Sequence, residues 1–181
     1  MQGRHSTIVH EGLVFRVETF QDQDRCGSQV RKDVVRHPGA VTVTPVLDSG
    51  QLVMIRNQRI AVSNTVLEFC AGSLEPGEPP IQAAHRELRE ECGYRAQQMR
   101  SVGWFFTSPG FCDERMHVFE ARGLEACGQK LEPGEMIEVV EKSLAEIQDA
   151  IAGGELVDGK TITACTLWRL EKGISLVEGD A

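Results

Sequence analysis

Long apolar runs are missing from this chain of 181 residues, and no segment approaches the length of a membrane span. The first twelve residues (MQGRHSTIVHEG) also lack the apolar centre of a secretory signal. Positive charge is scarce, with 19 Lys and Arg against 27 Asp and Glu and a formal net charge of −8. Non-specific nucleic-acid binding depends on basic patches and is therefore not expected. We expect a cytoplasmic protein that binds neither membranes nor nucleic acids.

Cysteine pairs with the spacing of a zinc site or a redox motif are also missing. The six cysteines form no CxxC, and they lie at Cys26, Cys70, Cys92, Cys112, Cys127 and Cys165. Reduced thiols in a cytoplasmic protein are the simple interpretation. Cys70 is expected to be a packed thiol rather than a nucleophile, because no histidine is close to it in sequence.

Strand and helix patterns divide the chain into an N-terminal segment, 1–37, and a larger domain, 38–181. Alternating stretches at 6–20 and 29–37 predict strands, which cannot close a core alone and must pack on the larger domain or on a second copy. In the larger domain, strands are predicted at 40–47, 51–59, 114–122 and 136–142, a loop at 124–135, and helices at 143–154 and 158–173. Ser143 and Glu146 form a capping box. This order favours a mixed α/β layer fold.

The stretch from Ala71 to Tyr94 (AGSLEPGEPPIQAAHRELREECGY) reads as a loop, a helix and a loop. Pro79 and Pro80 suit a helix entrance, and Gly93 lies where a left-handed C-terminal cap is expected. The helix is predicted from Ile81 to Cys92. One side of it, expected to face a core, carries Ile81, Ala84, Leu88 and Cys92.

The opposite side of this helix carries three carboxylates, Glu87, Glu90 and Glu91. Like charges at this spacing repel by roughly 0.2–0.5 kcal/mol per pair on an exposed helix. Arg86 offsets part of the repulsion, and a hard cation would offset more, because Mg²⁺ prefers oxygen ligands and binds through carboxylates and substrate phosphates. A solvated acidic face is the alternative. The spacing of the surrounding residues favours the metal.

That spacing is Gly72, five residues, Glu78, seven residues, Arg86-Glu87-Leu88, one residue, Glu90-Glu91, one residue, Gly93 and Tyr94. It resembles the signature box of the Nudix hydrolases, which implies a Nudix α/β/α sandwich. The resemblance implies metal ligands at Glu87, Glu91 and the Ala71 carbonyl, with Glu90 as a further ligand or neighbouring carboxylate. It also implies an ion pair between Arg86 and Glu78, and it places Arg86 and Glu90 in the catalytic set.

Residues beyond the box resemble the subfamily that hydrolyses ADP-ribose and other nucleoside diphosphate sugars. The resemblance rests on SPGFCDE, which contains Pro109 and Glu114, and on HPGAV (37–41), LEFCAG (67–72) and VDGKTITA (157–164). It covers most of residues 30–170. One departure is Cys70, where the subfamily commonly has proline. The resemblance implies that Pro109 and Glu114 shape and contact the sugar end. It also implies a homodimer in which N-terminal strands are exchanged between subunits.

Two arginines, Arg56 and Arg59, lie at the far end of a predicted strand. Solubility at the surface is one interpretation, and binding of a diphosphate by the guanidinium fork is the other. The neighbouring box favours the second, above all for Arg59. The aromatic run Trp104-Phe105-Phe106 is predicted to belong to the core.

The catalytic base is expected on the loop 131–135, as in the resembling subfamily. Two glutamates compete there, Glu132 and Glu135, and the Pro133-Gly134 turn favours the residue that follows it. An acidic loop exposed to solvent is the alternative for either one. Glu114 is the next candidate.

The activity that these resemblances imply is Mg²⁺-dependent hydrolysis of ADP-ribose or a related nucleoside diphosphate sugar, with Mn²⁺ as a possible substitute. ADP-ribose would give AMP and ribose 5-phosphate. A second possibility keeps the site but changes the substrate to dinucleotides such as NADH or to oxidised nucleoside triphosphates. A third is a Nudix module that binds a nucleotide without catalysis. Such modules usually lose box carboxylates, which this chain keeps.

Overall fold

The computed structural model describes residues 6–174, so the first five residues of the segment 1–37 and the last seven of 38–181 lie outside it. Ten strands are described: β1 (Ser6–Glu11), β2 (Arg16–Gln23), β3 (Gln29–Arg36), β4 (Ala40–Pro45), β5 (Leu52–Arg59), β6 (Asn64–Glu68), β7 (Ala71–Ser73), β8 (Tyr94–Phe106), β9 (Arg115–Ala126) and β10 (Ile137–Lys142). The α-helices are α1 (Pro80–Glu87), α2 (Leu144–Ala152) and α3 (Gly159–Glu171). A short 3₁₀ turn (Ile60–Val62) follows β5, and a π turn (Leu88–Cys92) continues α1.

The strands form three sheets. The central sheet has the order β7-β4-β9-β8, in which β4 and β9 are parallel and the outer pairs are antiparallel. A second, antiparallel sheet has the order β10-β5-β6, and the N-terminal strands form a third in the order β1-β2-β3. Helix α1 packs against β4, β7 and β8, and α3 packs against β4, β8 and β9.

Two apolar clusters form the core, and single strands contribute to both. On β5, Val53 belongs to the cluster beneath α1, whereas Leu52 belongs to the cluster that α2 and α3 cover. On β9, Phe119 belongs to the cluster beneath α1, and Val118 belongs to the cluster covered by α2 and α3. Successive side chains of a strand point to opposite faces, so these strands are buried on both sides. The result is the layered α/β architecture expected from the sequence.

The N-terminal sheet joins the rest of the protein through the end of β3. Val35 accepts a hydrogen bond from the Asp113 N–H at 3.1 Å and donates one to the Phe111 carbonyl at 2.7 Å. Arg36 adds ion pairs with Glu18 and Asp113, both at 2.9 Å. All six residues of β1 are exposed. This sheet is therefore fixed at one end and leaves apolar side chains of its first hairpin in solvent.

Two sequence predictions about β8 and β9 are wrong. Trp104 and Phe106 were expected in the core, but each is 47% exposed, because they lie on the outer face of β8. There Arg115 stacks over the Trp104 ring at 3.7 Å. The loop predicted from residue 124 begins later, since β9 continues to Ala126 by pairing with Tyr94 at the start of β8. No helix within residues 6–174 has the length and apolar character needed to cross a membrane.

Candidate active site

The helix of the 71–94 stretch begins at Pro80 and changes from α to π geometry after Glu87. It ends at Gly93, whose φ of 73° is the left-handed cap that the sequence predicts. Ala84, Leu88 and Cys92 are buried as expected, but Ile81 is 44% exposed. Ile81 lies in the first turn, outside the buried cluster, so its predicted core position is wrong. A π turn is often found at functional sites.

Arg86 organises the loop that precedes the helix. Its guanidinium donates to both oxygens of Glu78, at 3.0 and 2.9 Å, and to the Ser73 carbonyl at 3.0 Å. The predicted ion pair is therefore present, and the Arg86 hydrogen bond holds the pKa of the Glu78 carboxyl below its usual value. Gly72 lies so close to the helix that an added Cβ would stand 1.8 Å from Glu87 Oε1. A side chain at position 72 would therefore displace the Glu87 carboxylate from this place.

Glu87 and Glu91 are both buried, and burial raises the pKa of each. For Glu91 the pKa rises to about 8; the Glu87 and Glu135 charges add to the effect of burial, and the Ala71 N–H, which donates to Oε2 at 2.9 Å, opposes it. For Glu87 the Arg86 charge opposes burial, and the charges of Glu90 and Glu135 support it. The two carboxylates therefore carry more negative charge than their surroundings neutralise.

These groups fit a hard divalent cation in donor type and in charge, since Mg²⁺ takes oxygen ligands. Ala71, whose carbonyl is the predicted backbone ligand, lies next to Glu91 through its N–H. No three such side chains in residues 6–174 are already arranged as a metal site. Arg86 Nη1 instead contacts Glu87 Oε1 at 2.5 Å and Glu90 Oε2 at 3.6 Å. Glu87 would have to turn away from Arg86 to bind a metal.

The two predicted diphosphate ligands have different surroundings. Arg59 donates to Glu68 Oε1 at 2.7 Å. Burial lowers the pKa of Arg59, but the hydrogen bond to Glu68 and the charges of Glu68, Glu91 and Asp158 raise it overall. The charges of Arg59 and Glu91 therefore act on each other within the site. Arg56 contacts Glu155 at 3.4 Å and lines a cavity of about 460 Å³ together with Glu135.

Glu135 and Glu132 share one turn of the acidic loop. The Glu135 N–H donates to the Glu132 carbonyl at 3.1 Å, and the Glu132 N–H donates to Glu135 Oε2 at 2.7 Å. Glu135 is half-buried and its charge acts on both Glu87 and Glu91, whereas Glu132 is exposed. The structure thus brings Glu135 towards the helix carboxylates.

Glu114 and Pro109 lie on the far side of the site. Glu114 accepts a hydrogen bond from the Thr107 hydroxyl at 2.8 Å and lines a cavity of about 400 Å³ together with Lys160. Pro109 lies in a turn closed by the Cys112 N–H, which donates to the Ser108 carbonyl at 2.9 Å. That loop is the one joined to β3, so Pro109 belongs to the connection between the N-terminal sheet and the site.

Comparison with known proteins identifies the family. The model of the NUDIX domain matches residues 36–165, which is most of the chain. The chain belongs to the Nudix family. The predicted resemblance and fold class are confirmed, and the chain is a Nudix hydrolase, as its sequence predicts.

Three similar proteins illustrate this membership. The ADP-ribose pyrophosphatase of Bacillus subtilis (strain 168) is 38% identical over 150 residues, covering 82% of this chain and 81% of the relative. The methanol dehydrogenase activator of Bacillus methanolicus is 34% identical over 170 residues, covering 92% and 91%. A crystal structure of an ADP compounds hydrolase superposes with a TM-score of 0.78 at 24% identity, covering 97% of this chain and 98% of that one. At that identity, the likeness shows the fold alone.

The Nudix box accounts for the helix carboxylates, and Nudix pyrophosphatases in general use a divalent metal. Sequence reasoning missed one charged cluster beside the box, formed by Glu68, Lys160 and Asp158. Glu68 is fully buried and contacts both Arg59 and Lys160, and Lys160 also contacts Asp158 at 3.0 Å. A signal was present, because Glu68 is a charged residue between the apolar Leu67 and Phe69.

Proposed function

We propose that this Nudix hydrolase cleaves the diphosphate bond of ADP-ribose or a related nucleoside diphosphate sugar, with Mg²⁺ as its metal and Mn²⁺ as a substitute. The observation that carries the proposal is the pairing of opposite charges in one site. The buried carboxylates of Glu87 and Glu91 share one helix, and the positive charge of Arg59 acts on Glu91. A metal and a diphosphate need these two kinds of partner side by side. The 38% identity to the B. subtilis ADP-ribose pyrophosphatase supports the substrate class.

In this mechanism Glu87, Glu91 and the Ala71 carbonyl would hold the metal, and Glu90 would support them. Bound metal would neutralise diphosphate charge and lower the pKa of a water molecule. Arg86 holds the loop and helix together through Glu78, which keeps the carboxylates in place.

Arg59 and Arg56 hold the diphosphate oxygens, because a guanidinium fork matches their geometry. Glu135 takes a proton from the attacking water, which forms a new P–O bond as the bridging P–O bond breaks. For ADP-ribose the products are AMP and ribose 5-phosphate. Glu132 remains the alternative base, and its exposed position makes it the weaker candidate.

The sugar end of the substrate lies towards Glu114 in this proposal. The cavity of about 400 Å³ there offers the Glu114 carboxylate and the Thr107 hydroxyl as hydrogen-bonding partners. Pro109 shapes the adjoining turn. A substrate with two phosphates and a sugar uses this cavity, whereas a nucleoside triphosphate leaves it without a sugar to bind.

A substrate panel tests the proposal and separates it from its alternatives. Purified protein with Mg²⁺ is assayed on ADP-ribose, GDP-mannose, UDP-glucose, NADH and 8-oxo-dGTP, with EDTA as the control. We expect the highest kcat/KM on ADP-ribose or another nucleoside diphosphate sugar. A higher kcat/KM on NADH or 8-oxo-dGTP would show that the substrate is a dinucleotide or an oxidised nucleoside triphosphate instead. Nucleotide binding without turnover would support the non-catalytic module instead.

We also infer a homodimer in which the N-terminal strands contact the second copy. Leu13, Val14 and Phe15 in the first hairpin are exposed apolar side chains, and they line a cavity of about 560 Å³ with Arg36 and His37. Exposed apolar surface of this kind marks an interaction site. Light scattering should give twice the 20.0 kDa mass of one chain. A mass near 20.0 kDa at micromolar concentration would refute the dimer. Cytoplasmic location is part of the same proposal.

A further inference from the structure

One buried carboxylate, Glu68, holds two cations at once. It ends strand β6, just before the Nudix box, and its side chain is only 1% exposed. Arg59 Nε donates to Oε1 at 2.7 Å, and Lys160 Nζ donates to Oε2. A single cation would neutralise a single carboxylate. The second cation, Lys160, is shared with another carboxylate, that of Asp158.

The two cations differ in how firmly they are held. The Arg59 side chain is 40% exposed, and Glu68 is its only hydrogen-bond partner described in residues 6–174. The Lys160 side chain is 15% exposed and is shared between Glu68 and Asp158. Arg59 can leave this cluster for a ligand more easily than Lys160 can.

Asp158 is itself fixed by the start of helix α3. It accepts hydrogen bonds from the Thr161 N–H at 3.0 Å and from the Thr161 hydroxyl. The Thr161 hydroxyl oxygen in turn accepts from the Phe69 N–H at 2.9 Å, next to Glu68 in the chain. The helix start, Lys160 and Glu68 therefore form one rigid assembly, and Arg59 stands at its open end.

The charge of Glu68 explains why Lys160 is needed as a second cation. If Arg59 turns from Glu68 to a diphosphate, Glu68 loses one charge partner, and a buried carboxylate without a partner is strongly unfavourable. Lys160 removes this obstacle, because it stays on Glu68 and keeps the charge neutralised.

We propose that Lys160 is a positioning residue that keeps Glu68 neutralised, so that the Arg59 guanidinium can be released to the diphosphate of the substrate. This inference rests on the proposed function and adds Lys160 to the residues that determine substrate affinity. Lys160 acts through Arg59 and makes no contact with the reacting atoms in this role.

The test is the Lys160→Met variant, assayed for KM and kcat on ADP-ribose. We expect KM to rise roughly tenfold while kcat changes less than about twofold, because the loss falls on substrate binding rather than on chemistry. Lys160→Arg, which keeps the charge, should restore KM. Should Lys160→Met fold poorly, Lys160→Gln gives the same test, since it keeps hydrogen-bond donors and removes the charge.

A matched control exists at the other end of α3. Lys172 also contacts a buried carboxylate, that of Glu120 at 3.1 Å, and lies about 18 Å along the helix axis from Lys160. Lys172→Met makes the same chemical change and should leave KM unaltered. An equal rise in KM for both variants would show a general loss of structure and overturn the proposal.

A double-variant cycle with Glu68→Gln separates positioning from direct binding. Without the Glu68 charge, Lys160 neutralises only Asp158, so Lys160→Met should not raise KM further in the Glu68→Gln background. The same rise in both backgrounds, or an unchanged KM in Lys160→Met alone, would refute the positioning role. If the unmodified protein does not hydrolyse ADP-ribose, the proposed function fails first, and that result is distinct from either of these.

Discussion

Glu91 and Glu120 are equally shielded from solvent, each 3% exposed, yet their pKa values shift in opposite directions. Burial raises the pKa of both, and for Glu91 the result is a value of about 8. For Glu120 hydrogen bonds outweigh burial and lower the pKa to about 2. The hydrogen bonds come from Trp168, Arg100, Lys172 and Arg122, at distances of 2.7–3.1 Å.

The partners account for most of the difference, and Glu91 also lies deeper in the protein than Glu120 does. Glu91 has one backbone donor, the Ala71 N–H, and two acidic neighbours, Glu87 and Glu135. Glu120 has more than enough positive charge around it. A carboxylate that the protein neutralises fully holds elements together, whereas one that it leaves short of positive charge suits a cation from solution. Burial alone therefore does not tell a structural carboxylate from a functional one.

The largest expected effect is the loss of activity when Glu91, the carboxylate with too few positive partners, is substituted. Glu91→Gln should lower kcat/KM by roughly 10³-fold or more, because it removes a proposed metal ligand. Its melting temperature should stay close to that of the unmodified protein, since Gln still accepts from the Ala71 N–H and carries no charge to repel Glu87. Glu87→Gln should behave in the same way. Near wild-type turnover of either variant at saturating Mg²⁺ would contradict the metal assignment.

Next in size is the effect of the proposed base. Glu135→Gln should lower kcat by about 10²–10⁴-fold while Mg²⁺ binding persists, as expected of a lost proton acceptor. Glu132→Gln is the matched control on the same turn and should leave kcat nearly unchanged. Both are assayed at several pH values with metal affinity followed in parallel. The reverse result would assign the base to Glu132, and two silent variants would direct attention to Glu114.

Glu120 is surrounded by cationic partners, so Glu120→Gln should affect stability instead of activity. The substitution leaves Arg100, Arg122 and Lys172 without their shared carboxylate, so we expect the free energy of unfolding to fall by about 2 kcal/mol. Urea denaturation measures it, and kcat/KM of the folded protein should stay within about twofold. A variant as stable as the parent but catalytically impaired would reverse the roles assigned to the two carboxylates.

The smallest effect is on the pH dependence of stability in the metal-free protein. Because the folded pKa of Glu91 is about 8 and its ordinary value is 4.5, the folded state holds the extra proton between these values. The free energy of unfolding should therefore fall as pH rises from 4.5 towards 8.

The Glu91→Gln variant should lack this decline, and Mg²⁺ should offset it at pH 8 in the unmodified protein. Glu120 has the opposite sign. Its stabilisation is present above pH 4.5 and is lost as pH falls towards 2. Urea titrations at pH 5, 6.5 and 8 measure the first effect. An unmodified protein that grows more stable over that range would contradict the raised pKa of Glu91.

Features of the site that depend on neighbours in sequence could be predicted, and those that depend on distant elements could not. The ion pair of Arg86 with Glu78 and the capping box of Ser143 with Glu146 lie within one short stretch each, and both are present. Glu120 and Glu68 were missed because each has a lysine partner from an element far along the chain, Lys172 for Glu120 and Lys160 for Glu68.

The burial of aromatic residues on β8 was also predicted wrongly, again because it depends on an element distant in sequence. An aromatic strand is usually buried, so Trp104 and Phe106 read as core residues. Which face of β8 is covered depends on where α3 packs, and α3 lies more than fifty residues later in the chain. The N-terminal strands were predicted correctly as strands, but the positions of their partners in a dimer remain a prediction.

The segment after β9 secures the end of the box helix by hydrogen bonds to the helix's backbone carbonyls. Cys127 and Gly128 N–H donate to the Gly93 carbonyl, and Lys130 N–H donates to that of Glu90 at 2.9 Å. Gln129 completes the set with its side-chain amide on the Glu91 carbonyl at 2.7 Å. In a hydrogen-exchange measurement, these amide protons should exchange slowly and at similar rates, because they open as one cooperative unit. Movement of the acidic loop would then be confined to the residues beyond Lys130, so the proposed base could move without disturbing the proposed metal ligands.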